Sequence, residues 1–284
     1  MPRSVHRLCP SATAGLSLIE LLVAVSIIGV ALSAAVAFAS TSLRLLRQNQ
    51  LRLEVRHALR ASGDSIVRDL RLAAACLPQN GSFVALEGID SGTADSLTIR
   101  TGYSSQNNLA CVATATNAIH GAGTVAISVD EADGFGQARM GYLRHLDGGG
   151  EFFTIADVDT GASTITRGEP ATRDFPVGSG VFAVDERSYS LDTGEPGASR
   201  LMLDVDRAGE VPFASGISGF SVHYILERNC PPCDVVDLPA DDAEWRLVNE
   251  VAVTLTAETV NPLRSEDHYS ETRTVVGKPR NLLP

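Results

Sequence analysis

GLSLIELLVAVSIIGVALSAAVAFA, running from Gly15 to Ala39, decides how the rest of this chain is read. After Gly15 come 24 residues, Leu16 to Ala39, with one ionisable side chain among them, Glu20. At about 1.5 Å per residue, a helix of that length crosses a hydrocarbon layer of roughly 30 Å. Glu20 then lies inside a membrane span, where a carboxylate costs on the order of 2.5 to 3.5 kcal/mol to insert. A charge kept at that cost points to a partner and to a function.

Upstream, Met1 to Gly15 carries Arg3, His6 and Arg7, no acid and no apolar core of its own, so it reads as a short basic leader outside the fold. Arg3 and Arg7 favour the cytoplasmic side, but Arg44 and Arg47 beyond the span nearly balance them, and charge alone leaves the orientation open.

Downstream, SLRLLRQNQLRLEVRHALRASGDSIVRDLRLAAACLP keeps a helical rhythm. Val55, Leu59, Ile66, Leu70 and Ala73 recur at three-, four- and seven-residue steps, with Arg52, Arg56, Arg60 and Arg68 between them. The expectation is one long helix, apolar in its first half and amphipathic in its second, weakened at Gly63 and closed by Pro78. The arginines read as a solvated face snorkelling over the apolar stripe.

From about Gly81 the pattern changes to short runs divided by Gly, Asp and Ser. SLTIRTGY, TVAISV, EFFTIADV, STITRG, GVFAVDERSYSLD, SRLMLDVDRAG, FSVHYIL, WRLVNEVAVTLTAET and ETRTVV all read as strands. DTGAS and DTGEPGAS read as turns between neighbours, so an antiparallel sheet is expected. The segments 106–123, 132–149 and 230–242 have poorer periodicity and read as loops. The fold class is therefore α+β, divided into a leader (1–15), an apolar helical half (16–39), an amphipathic helical half (40–77) and one β-rich domain (78–284).

The net charge of −11 is unevenly placed. Leu43 to Leu77 holds seven arginines against Glu54, Asp64 and Asp69, whereas Pro78 to Pro284 holds thirty acidic against fourteen basic residues. Such a domain offers no phosphate-neutralising footprint, and no nucleic-acid partner is expected.

Gly15 followed by an apolar residue, with Glu20 at the fifth position from Leu16, resembles the processing and assembly signal of type IV prepilins and pseudopilins. The resemblance implies a pilin-like fold, a long N-terminal membrane-spanning helix packed on an antiparallel β-sheet domain. It also implies cleavage between Gly15 and Leu16 by a prepilin peptidase, N-methylation of Leu16, and a salt bridge from Glu20 to the terminal amine of a neighbouring subunit. Leu16 stands where Phe is usual, and Ala37 where many major pilins carry a Pro, so the helix should stay more continuous. IVRDLRLAAAC, VFAVDERSYSLD, RLMLDVDRAGEVPFASGISGFSVHYIL, WRLVNEVAVTLTAET and VVGKPRNLLP, in that order, resemble PilW/PulJ-type minor pilins and minor pseudopilins. This second resemblance implies a minor subunit that initiates or caps a type IV pilus. It would be anchored once in the inner membrane, with its globular domain in the periplasm or outside the cell, and its partners would be other pilin or pseudopilin subunits. The alternatives are a minor pseudopilin of a type II secretion system, or an adhesin-like module presenting exposed aromatics near Trp245 or Tyr142.

Cys9 falls in the leader, which leaves Cys76, Cys111, Cys230 and Cys233. In an exported domain an even count favours disulfides; of three possible pairings, the separations favour Cys76 with Cys111 and Cys230 with Cys233. A zinc site has only one C-x-x-C to build on, and no metal is expected.

Catalytic groups are hard to find. Gly216, Ser218 and Gly219 have the wrong spacing for a nucleophile elbow, and Gly134-Phe135-Gly136 lacks the third glycine of a dinucleotide loop. His57, His120, His145, His223 and His268 are scattered and read as surface or half-buried residues. Asp204 to Gly209 opens like a calcium loop, but Ala208 replaces an oxygen ligand, so a turn explains it better. Cys230-Pro231-Pro232-Cys233 has the spacing of a thiol oxidoreductase without the helix N-terminus that chemistry needs. Neither a catalytic role nor a cofactor is expected.

Overall fold

The computed structural model describes residues 17–78, 81–92, 94–104, 109–194, 199–228, 230–259 and 268–282. It divides into two compact units, Met1–Leu51 and Arg52–Pro284. Helix α1 (Leu18–Leu72) supplies all the described secondary structure of the first unit and opens the second.

In the first unit the large apolar side chains of α1 are exposed, from Leu18 to Leu46. In the second, Val55, Leu59, Ile66 and Leu70 are buried, the stripe that the helical spacing marks. Gly63 turns out to be a packing position: a Cβ built there would lie 2.9 Å from Val275 Cγ1, so the helix backbone rests directly on that valine. The helix ends at Leu72 instead of running on to Pro78. Ala74 N donates to Arg100 O at 2.9 Å and Gly102 N to Ala75 O at 2.7 Å, so residues 74 and 75 leave the helical ladder for strand partners.

The remaining elements are β1 (Leu86–Ile89), β2 (Ser96–Thr101), β3 (Tyr103–Ser104), β4 (Leu109–Ala110), β5 (Ala113–Ala115), β6 (Ala126–Ser128), β7 (Met140–Arg144), β8 (Gly150–Asp159), β9 (Thr164–Arg167), β10 (Gly180–Asp192), β11 (Arg200–Val205), β12 (Val211–Ser215), β13 (Ile217–Leu226), β14 (Asp234–Val236), α2 (Asp242–Arg246), β15 (Val248–Glu258) and β16 (Ser270–Gly277). They form two larger antiparallel sheets and a β3–β4 ribbon, where the sequence suggested one sheet. Ten strands follow the order β1-β2-β10-β7-β8-β9-β6, with β5, β11 and β12 joined off that path; four follow β14-β13-β15-β16. β10 is the spine of the larger sheet. Its first half pairs with β7 and β5, its second with β2 and β11. The sheets are fastened by Asp95, which is buried: its Oδ2 accepts Val222 N, its Oδ1 accepts Ser91 N, both at 2.8 Å, and its own N donates to Phe220 O.

Four segments differ from expectation. Residues 132–149, read as a loop, contain β7, which lies between β10 and β8. Met140, Gly141, Tyr142 and Leu143 are all buried, because both faces of β7 are covered, Met140 and Tyr142 by Phe83 and Ala85, Leu143 by Ile127 and Phe175. Two-sided burial removes the alternation that marks a half-exposed strand. Gly141 also admits the ring of Phe153, whose Cζ would lie 2.4 Å from an added Cβ. Trp245 and Arg246, read as the start of a strand, belong to α2, which Asp241 caps by accepting Ala243 N and Glu244 N at 2.9 Å. Segments 106–123 and 230–242 likewise carry short strands, β4, β5 and β14, within their described residues.

Candidate functional site

The first turn of α1 is built from Ser17 to Leu21, with Leu21 N donating to Ser17 O at 3.1 Å. Glu20 sits in that turn, where the unsatisfied N–H groups of a helix start favour negative charge; Ser17 three residues before it gives the spacing of a capping box. Gly15 and Leu16, the expected cleavage and methylation positions, lie outside the described residues.

Four hydroxyls of α1 are satisfied by its own backbone. Ser26 donates to Leu22 O, Ser33 to Val30 O, and Ser40 and Thr41 both to Ala37 O, at 2.8 to 2.9 Å. Such back-bonding lets a hydroxyl sit in hydrocarbon without an orphan donor. Glu20 differs, with no hydrogen-bond or ion-pair partner among the described residues. A carboxylate without such a partner on an otherwise apolar, uncovered helix is the most costly group to hold in hydrocarbon among the described residues of the first unit. Among the described residues, α1 is the one helix long and apolar enough to cross a membrane.

Charged groups elsewhere are committed to structure. Asp69 on α1 accepts Arg187 Nη1 at 3.1 Å and Tyr189 OH at 2.6 Å, pinning the helix to β10. Burial, with Asp69 adding to it, pushes the Tyr189 phenol far above its ordinary range, so it stays a donor. The cavity beside this group measures about 30 Å³, room for a water and little more. On the other face of β10, Glu186 binds Arg100 Nε at 2.6 Å and Arg207 Nε at 2.8 Å. Burial works to raise the Glu186 carboxyl, but Arg207 and Arg100 outweigh it and hold it below the usual carboxylate range.

The turn following β11 completes this cluster. Asp206 and Arg207 have φ of 55° and 56°, the left-handed region, and Ala208 N closes the turn on Val205 O. Asp206 is 5% exposed, and its Oδ1 accepts Glu186 N at 2.8 Å. Burial pushes its pKa up to about 6, with Asp185 and Glu186 adding to the rise and the Glu186 N–H and Arg139 opposing it. Sequence spacing identifies the turn, but not Glu186, which holds it from a strand away.

The histidines converge on no site. His120 is buried, a correction to the surface or half-buried reading: Nδ1 lies 3.0 Å from both Ala126 O and Thr124 Oγ1, and burial lowers its pKa. His145 pairs with Asp147 and His223 with Asp237, while His57 and His268 are exposed. No group of three metal-ligating side chains occurs among the described residues. Trp245 is 9% and Tyr142 1% exposed, packed edge-on against Tyr224 and Phe83 respectively, so the aromatic patch an adhesin reading needs is absent at these positions. Cys76 is joined to Cys111 with Cα atoms 5.1 Å apart, and Cys230 to Cys233 at 4.1 Å, the latter pair in a loop and not at a helix start.

The prokaryotic N-terminal methylation motif matches residues 10–36 of the chain. No curated protein sequence matches it. The motif supports a type IV prepilin-like protein of the pilin or pseudopilin kind, a class with a structural role. It implies processing by a prepilin peptidase and assembly with other pilin subunits, and together with the apolar helix it fits membrane anchoring.

Proposed function

We propose that this protein is a minor pilin-like subunit that initiates or caps assembly of a type IV pilus, after cleavage between Gly15 and Leu16 and methylation of the new Leu16 amine. The observation that carries this reading is Glu20. It stands in the first turn of an uncovered apolar helix with no partner among the described residues, inside the stretch that the methylation motif matches. A terminal amine from an adjacent subunit would supply the missing partner, and two opposite charges in hydrocarbon attract far more strongly than at a wet surface, although desolvation offsets part of the gain. The minor role rests on the order of the distal segments from VFAVDERSYSLD to VVGKPRNLLP, and export past the inner membrane agrees with the two joined cysteine pairs.

Glu20→Ala tests the reading, with precursor, mature membrane pool and filament-associated protein measured side by side. The variant is expected to be cleaved and to accumulate in the membrane, yet to enter assemblies poorly. Incorporation equal to that of the native chain would remove the salt-bridge role. The subunits co-purifying with the mature native protein separate a pilus from a secretion pseudopilus.

A further inference from the structure

Past Ala39 the helix changes character without gaining a partner. Leu43, Leu45 and Leu46 are exposed, and so are Arg44 and Arg47, neither of which has an ion-pair or hydrogen-bond partner among the described residues. No acidic side chain stands between Glu20 and Glu54, so this stretch is purely cationic. Arg44 and Arg47 are three residues apart and therefore share a helix face.

The spacing along the axis sets their depth. Leu18 to Ala39 as helix measures about 33 Å, enough to fill a hydrocarbon core of roughly 30 Å. Arg44 lies about 7 Å further on, and the polar layer on each side of a bilayer is roughly 5 to 8 Å deep. Arg47 lies about 12 Å past Ala39, but helical side chains lean toward the N-terminus and arginine stems can snorkel, which directs both guanidinium groups back toward the span. Guanidinium matches phosphate oxygens with a planar fork of donors.

Building on the membrane-span reading, we propose that Arg44 and Arg47 form a binding site for the phosphate of anionic phospholipids where α1 leaves the hydrocarbon. Uncompensated positive charge at that depth is complementary to an anionic headgroup layer, each arginine gaining on the order of 1 kcal/mol near such a surface. Ser40 and Thr41 already bond Ala37 O, and the two arginines are the cationic donors at this level of the helix. The site retains the subunit at a fixed depth before it is withdrawn into an assembly.

The test uses the full chain reconstituted in phosphatidylcholine vesicles, with spin-labelled phosphatidylglycerol or phosphatidylcholine as probe. The motionally restricted fraction of each probe gives the relative affinity of the helix for the two lipids. A selectivity of about two- to fivefold for phosphatidylglycerol is expected, from roughly 1 kcal/mol per arginine averaged over the lipid shell. Most of it should be lost in Arg44→Gln/Arg47→Gln, and it should fall to parity in 1 M salt, where charges are screened within about 3 Å. Parity in the native chain, or selectivity unchanged in the double variant, overturns the proposal. So does charge-dependent self-association with lipid parity, which would assign the arginines to carboxylates of a neighbouring subunit. Release of the chain from vesicles by alkaline carbonate would overturn the membrane reading as well as the lipid site, whereas insertion with parity overturns the lipid site alone.

Discussion

Asp206 shows how a single carboxyl is bound into this fold against its own preference for water. It is buried next to Asp185 and Glu186, and its pKa rises from the ordinary 3.8 to about 6. The folded state thus holds a proton that the unfolded chain has given up between those values. Stability from this group is present at pH 4, falls as pH rises toward 6, and is absent above it. Asp206→Asn keeps an oxygen that can accept Glu186 N while removing the charge. The variant is expected to gain about 1 to 3 kcal/mol more, relative to the native chain, at pH 7.5 than at pH 4.5. Urea unfolding in detergent at the two pH values measures the difference; equal effects would show that burial leaves Asp206 unperturbed. Glu186 runs the other way, since Arg207 and Arg100 hold its carboxyl low, so its contribution persists above the ordinary carboxylate range and is lost as pH falls below it.

Helix α1 and strand β16 meet with no side chain to spare. The backbone of Gly63 rests on Val275, and the rim of the contact carries Arg56 with Glu271 and Asp64 with Arg273, exposed pairs worth little by themselves. Gly63→Val would force these elements apart and should cost about 2 to 4 kcal/mol, more than any gain in helix propensity. Val275→Ala introduced with it should recover at least about 1 kcal/mol beyond additivity, a coupling that a double-mutant cycle by denaturant unfolding reads directly. Additive losses would mean that the two sites do not share the contact. The sequence made α1 legible through the spacing of Val55, Leu59, Ile66 and Leu70, and made β10 legible as an unbroken strand run, because both signals are local. Gly63 could be seen as a weak helix former but not as a seat for Val275, which lies more than two hundred residues away. β7 was illegible for a related reason: with both faces covered, Met140 to Leu143 shows no period at all. Of the functional residues, Glu20 stands out because its neighbours are uniformly apolar, whereas the hold of Glu186 on Asp206 exists only once two distant strands have paired.

At the scale of the molecule, the second unit is tied by a covalent link between the end of its helix and the loop before β5. Closing the 35-residue separation between Cys76 and Cys111 should stabilise the chain by roughly 3 to 4 kcal/mol in the chain-entropy model. The Cys230–Cys233 ring encloses too little chain to match that, about 1.5 to 2 kcal/mol on the same model. Cys111→Ser is therefore expected to lower the melting temperature more than Cys233→Ser, and equal shifts in a thermal scan would contradict the assignment. Both sheets should melt with the second half of α1 as one transition, because Asp95 and the shared apolar core join them. The pairing distances carry a further consequence, for the chain as it is being made. Asp69 is 118 positions from Arg187, and Arg56 is 215 from Glu271. At about 5 to 20 residues per second, the ribosome needs roughly 10 to 40 s to travel from the second helix half to the strand that covers it. Through that interval Val55, Leu59, Ile66 and Leu70 have only part of their final core to pack on, so this face of the helix stays partly open until the last strand is made, and loss of that strand alone would leave Gly63 without the valine it rests on.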